Sequence, residues 1–251
     1  MKNCNTVNTL VAVDLKLTRE GEGKIIDPTL FSSLIGSLRY LSIIRLDIVY
    51  SVGLLSRYME KPKEFHWLVA KRILRYIKGT MDFGLLCSYN NDAALYGYSN
   101  NNWGRDQEER KCTTRYVFYL GSTAFTWMSK KQSIVALSTC EVEYVATSSL
   151  VCEAIWLKNL LKEFDHPQEE SIIIYVDNKF AIELSKNLVQ HGRSKHIDMK
   201  YHFLRDYVKQ KVVKLQYCNT EEQVVDIFTK ALLVDRFKRL RTILGVKMLL
   251  V

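Results

Sequence analysis

SIIIYVDN (171–178) decides the fold. Its unbroken run from Ile172 to Val176 predicts a strand covered on both faces and lying centrally in a sheet. Upstream, LYGYSN (95–100), RYVFYLG (115–121) and AFTWMS (124–129) are rich in aromatic and β-branched residues, with Gly121 and Ser122 as the tight turn between the last two. These are three successive antiparallel strands. Between them and the central strand, Val142, Val145, Ala146, Ile155, Leu160 and Leu161 mark a long helix over 141–164. Downstream, a short helix near 180–186 and a longer one through Ile197, Tyr201, Leu204 and Val208 lead to VVKLQYC (212–218), which alternates as a half-exposed edge strand does. Thr220 and Gln223 read as a capping box for a helix through Ile227, and a last helix starts at Asp235 and stops before Gly245. Ahead of the strands, residues 27–80 read as three helices: Asp27 caps the first with Pro28 behind it, Asp47 caps the second, and Pro62 opens the third toward Gly79.

The order β-β-β-α-β-α-β-α permits a topological argument. A meander leaves its first and third strands pointing the same way. Right-handed crossovers then return the fourth and fifth strands parallel to the first, and their carboxyl ends share one rim, where open α/β sheets bind ligands. Acids from three elements and one amide stand at that rim: Asn100 ending the first strand, Glu141 and Glu143 opening the long helix, Asp177 ending the fourth strand, and Asp226 after the fifth. Singly, each reads as a helix-start charge or a strand-end cap. Together, carboxylates gathered without matching cations suit hard divalent ions such as Mg²⁺, two of which, roughly 4 Å apart, clamp a phosphodiester.

Composition fits this reading. With 47% hydrophobic and 25% charged residues the chain is an ordinary folded one, and 11 Gly and 3 Pro leave no room for flexible or polyproline linkers. No stretch reaches the roughly 18 apolar residues of a membrane span, and the first residues lack a secretory core, so an intracellular location, cytoplasmic or nuclear, is expected, with no membrane partner. Six scattered cysteines without a C-x-x-C pair read as reduced thiols, and His191, His196, His202 and Cys218 match no zinc spacing. A formal charge of +9 points to a polyanionic partner. Two stretches concentrate it: Arg57, Lys61, Lys63, Lys71, Arg72, Arg75 and Lys78, then Lys195, Lys200, Arg205, Lys209, Lys211 and Lys214. Each is a candidate phosphate track, with a solvated helix face as the alternative.

YGYSNNNW, RYVFYLGS, STCEVEYVA, IYVDNKFAI, RSKHIDMKYHFLRD and YCNTEEQVVDIFTKAL, collinear over 96–232, resemble the last domain of copia-type LTR retrotransposon Pol polyproteins, a ribonuclease H. DPTLFSSLIGSLRYLSIIRLDI and AKRILRYIKGTMDFGL look like the segment joining the reverse transcriptase polymerase domain to it. The resemblance implies an α/β, ribonuclease H-like mixed five-stranded sheet flanked by helices and preceded by a small helical segment. It also implies cleavage of the RNA strand of an RNA–DNA hybrid by two Mg²⁺ on an Asp-Glu-Asp-Asp set. Carried over, that set falls on Asn100, Glu143, Asp177 and Asp226, with Glu143, Asp177 and Asp226 as the metal ligands. Glu143 is preferred to Glu141 because C-E-V-E-Y matches the family's T-E-A-E-Y.

Departures from the family bear on activity. Asn100 stands at the first catalytic Asp, and a neutral amide cannot offset two divalent ions; Asn101 and Asn102 are neutral too, and Asp106 lies six residues further along. Leu46 and Ala231 replace Pro, and Arg115 replaces Gly at a strand start. The polymerase Y-x-D-D signature is absent. The expected organisation is a helical segment over 1–90, a ribonuclease H-like domain over 91–232 and a basic helix over 233–251. The expected function is a hybrid-binding module with weakened Mg²⁺ binding and impaired hydrolysis, with a reverse transcriptase polymerase domain as a further partner. The alternative is a non-catalytic nucleic-acid-binding relic.

Overall fold

The computed structural model describes residues 4–13, 15, 17–19, 23–88, 93–102, 113–131, 139–186 and 198–249. Its helices and strands run α1 (Pro28–Leu41), α2 (Val49–Leu55), α3 (Glu64–Lys78), β1 (Phe83–Leu85), β2 (Leu95–Asn102), β3 (Thr113–Leu120), β4 (Thr123–Lys131), α4 (Thr139–Glu163), β5 (Ile172–Val176), α5 (Lys179–Lys186), α6 (Asp198–Lys209), β6 (Val213–Tyr217), α7 (Val234–Ile243) and β7 (Val246–Met248). They form two compact units, Ser88–Asp226 and a second made of Met1–Cys87 with Ile227–Val251.

In the unit Ser88–Asp226 the sheet order is β4-β3-β2-β5-β6. β2, β3 and β4 pair antiparallel in turn, while β5 runs parallel to β2 and β6 parallel to β5. This is the ribonuclease H-like mixed sheet expected from the sequence. β5 matches its predicted bounds and is bonded on both edges, and β6 is an edge strand. Alternation places Ile172, Ile174 and Val176 beside Val213 and Leu215 on one face, where α4 and α6 bury them with Leu150, Ala154, Leu157 and Leu204. The other face stacks tyrosines: Tyr96 on Tyr119 at 5.1 Å and Tyr98 on Tyr175 at 4.7 Å between ring centres. Trp156 stands on the outer side of α4, 55% exposed.

The other unit contains α1, α2, α3 and α7 with a two-stranded sheet of β1 and β7. Asp27 caps α1 as expected, its carboxylate accepting the Thr29 N–H at 2.8 Å. Asp47 is not the cap of α2. It is buried, accepting Arg45 Nε and Nη2 at 2.9 and 2.8 Å and the Tyr76 hydroxyl at 2.5 Å, while Arg241 Nη1 donates to that hydroxyl at 2.9 Å. This network explains why residues 227–251, set off as a separate basic helix over 233–251 in the sequence, group with 1–87. Leu46, at a family proline position, is fully buried, so the change fills the core there.

Two expected outcomes follow from packing. A Cβ at Gly97 would stand 2.7 Å from the Phe118 ring, so Gly97→Ala should lower stability by about 1–3 kcal/mol, read as a reduced urea midpoint. His66 is buried, stacked 4.0 Å from Tyr58, and accepts the Lys63 N–H at 3.0 Å. Burial above all, aided by the charge of Lys63, lowers its pKa to about 4. The unfolded chain therefore binds a proton between about pH 6.5 and 4 that the native one refuses, and stability falls with pH through that window. Thermal melts from pH 7 to 4 should show this loss, and His66→Phe should flatten it.

Candidate active site

Three parallel strands place the site. In register, Ser99 pairs with Val176 and Val176 with Tyr217. The next residues, Asn100, two residues before the end of β2 rather than ending it as expected, and Asp177 and Cys218, just past β5 and β6, therefore stand side by side, and the Cys218 N–H donates to the Val176 carbonyl at 2.8 Å. The chain then turns back over the rim. Asn219 caps a short 3-10 turn, Thr220–Glu222, and a second one, Val224–Phe228, carries Asp226. The capping-box helix expected there does not form, because Gln223 turns inward instead: its Nε2 donates to the Ser99 carbonyl at 2.9 Å. One residue further along β2, Asn100 Nδ2 donates to Asp226 Oδ1 at 2.7 Å. Two bonds to adjacent strand residues thus pin the turn, with Gln223 and Asp226 essentially inaccessible to solvent.

The structure brings Asn100, Asp177 and Asp226 to one place. Burial first, then the negative charges of Glu222, Asp177 and Asp226, push the Cys218 thiol up to about 11, so both aspartates bear on one sulfur. Its neutral thiol donates to the Asn219 carbonyl at 3.4 Å. Glu141 and Glu143 are the third and fifth residues of α4; their side chains lie outside the described ones. Asp106, Ser138, His191, His196 and Trp103 also fall outside the described residues.

Residues missed in the sequence sit on the flank. Lys179, at the start of α5, holds its ammonium 4.8 Å from the ring centre of Tyr217, which is 44% exposed. The only signal was proximity in sequence: Lys179 follows Asp177 by two, and Tyr217 precedes Cys218. The first basic stretch is partly consumed. Arg72 and Arg75 donate through Nε to the Thr9 and Asn5 carbonyls at 3.1 and 2.6 Å, and Lys78 donates to the Cys4 carbonyl at 3.0 Å. Of the second stretch, Arg205 is buried, while Lys209, Lys211 and Lys214 are exposed at the amino end of β6, away from the rim.

No protein-family model matches the chain. It is 38% identical over 253 residues to the retrovirus-related Pol polyprotein from transposon TNT 1-94 of Nicotiana tabacum, covering 98% of this chain and 19% of that protein. It is 36% identical over 246 residues to the corresponding polyprotein of transposon RE2 from Arabidopsis thaliana, covering 98% and 17%. Over 98% of its length the chain is similar to copia-type retrovirus-related Pol polyproteins. It spans under a fifth of the length of these Pol relatives. A secreted RxLR effector protein 161 of Plasmopara viticola is also 41% identical over 128 residues, 51% of this chain and 90% of that protein. Among solved structures, a foamy viral protease-reverse transcriptase in complex with double-stranded DNA matches with a TM-score of 0.45 at 12% identity, over 80% of this chain and 33% of that one.

Two Mg²⁺ ions, implied by the Pol resemblance, need several oxygen donors facing a common point. Asn100 instead turns an amide N–H toward Asp226 and occupies a carboxylate lone pair with a hydrogen bond. Among the described residues no group of three or more His, Cys, Asp or Glu side chains is placed to hold a metal ion. Asn100, Asp177 and Asp226, the described members of the expected set, do not by themselves supply the donors of a two-ion site. The rim should be sensitive to its pins: Gln223→Leu strands the Ser99 carbonyl without its buried donor and should cost about 1–3 kcal/mol in urea unfolding.

Proposed function

We propose that this chain is a ribonuclease H-like module that binds RNA–DNA hybrid and does not turn it over at an enzymatic rate. What carries the reading is the rim itself, where Asp177 and Asp226 survive and the bond from Asn100 to Asp226 stands where a first catalytic carboxylate is expected. Removing one electrostatic stabiliser from an active site typically costs about 10²–10³ in rate. The first carboxylate of a two-ion site contributes at least that. Hydrolysis of the RNA strand by Mg²⁺ belongs, on this reading, to relatives with an aspartate at this position.

Binding is supported separately. Lys179 over Tyr217 offers a cation for a phosphate and an exposed aromatic face for a sugar or base, beside the rim. Lys209, Lys211 and Lys214 add positive charge toward the other end of β6, Lys214 lying about 10 Å along the strand from Tyr217. That spacing suits contact with more than one phosphate of a duplex. The +9 formal charge favours the encounter.

The test uses a labelled RNA–DNA hybrid with Mg²⁺ or Mn²⁺. The natural chain should retain the hybrid with an affinity that falls steeply as salt rises, and leave its RNA strand uncut. Tyr217→Ala should weaken binding by about 5- to 100-fold, and Lys179→Ala should reduce the salt slope by about one. Cleavage at about 1 s⁻¹ or faster would overturn the non-hydrolytic half. Affinity for the hybrid no greater than for heparin would overturn the binding half.

A further inference from the structure

One row of side chains crosses all five strands at the level of the rim. Arg115 pairs with Ser129 on β4 and with Asn100 on β2, and Asp177 and Cys218 continue the row on β5 and β6. Directly opposed residues in a sheet present their side chains to the same face, so the guanidinium of Arg115 shares a face with Asn100 and Asp177. Arg115 is 6% exposed and donates through Nε to Ser129 Oγ at 3.2 Å; Asp226 is 1% exposed. Charges withdrawn from water in one place persist only if they compensate each other. A guanidinium is ionised at any working pH, so Arg115 brings a fixed positive charge into the row next to Asn100, whose amide bonds Asp226.

We infer that Arg115 is the resident counter-cation of the acid rim, and that Asn100 and Arg115 form a coupled pair closing the rim to divalent ions. The amide removes one negative charge and bonds Asp226; the guanidinium supplies the field that a bound ion would supply. Restoring a carboxylate at position 100 alone then does not reopen the site. The new carboxylate meets Arg115 directly across the β2–β3 pair and is neutralised there.

This role rests on the site described above and not on hybrid binding. Its test contains no nucleic acid, so its failure leaves the hybrid reading standing, and the reverse holds. The measurement is the shift in melting temperature caused by saturating Mn²⁺, on the full chain and its variants. The natural chain and Asn100→Asp should not shift. Asn100→Asp combined with Arg115→Gln should rise by about 5 °C or more, as expected for a ligand present at about 100 times its dissociation constant. Asn100→Asp combined with Arg115→Lys, which keeps the charge, should stay unshifted. A rise in Asn100→Asp alone equal to that of the Gln double variant overturns the inference, and so does a rise in the natural chain. The single variant keeps the inference open to refutation even where Arg115→Gln impairs folding.

Discussion

The parallel pairing of β2 with β5 and of β5 with β6 is the constraint from which the rest of the site follows. Parallel strands end together, so residues far apart in the chain acquire neighbouring positions without any contact of their own to bring them there. Asn100, Asp177 and Cys218 come into line because Ser99, Val176 and Tyr217 are in register. The apolar face of the same strands, buried beneath α4 and α6, fixes that register, since a slip of one residue would turn Ile172, Ile174 and Val176 outward. Packing on one side of the sheet therefore positions chemistry at its end.

Once lined up, the polar groups must satisfy one another. Gln223 and Asn100 each make a buried bond that joins the turn after β6 to β2, and both bonds end at the base of the acid cluster. A carboxylate in such a place is stabilised by donors or by cations. Here the visible donor is an amide, and a buried guanidinium lies in the same row. The site thus joins strands held in register to a buried polar core closed by two amide hydrogen bonds.

The unit of Met1–Cys87 and Ile227–Val251 shows the same logic with opposite signs. Asp47 is its central anion, surrounded by Arg45 and Tyr76, with Arg241 on the Tyr76 hydroxyl. Several cations of the first basic stretch, Arg72, Arg75 and Lys78, hold carbonyls of the N-terminal segment. Basic side chains are counted easily in a sequence. Whether they face solvent or tie down backbone is a property of the neighbours, and in this unit some of the counted charge does structural duty.

How much was legible follows from the range of the interactions involved. β5 was read to the residue because five consecutive apolar side chains carry their own signal, and α1 because Asp27 and Pro28 act within one turn. The two-stranded sheet of β1 and β7 went unread: each strand is three residues long, and its partner lies some 160 positions away. The capping-box reading of Thr220 and Gln223 failed because the Ser99 carbonyl, 124 residues distant in sequence, competes for the Gln223 amide and wins. By itself the sequence determined the five strands of the larger sheet and the helices that flank it, since periodicity and local caps are short-range physics. Only the tertiary structure decided that Asn100 bonds Asp226 and that Arg115 pairs with Asn100 across β2 and β3. Hydrogen bonds and charge compensation depend on distances that chain order does not contain.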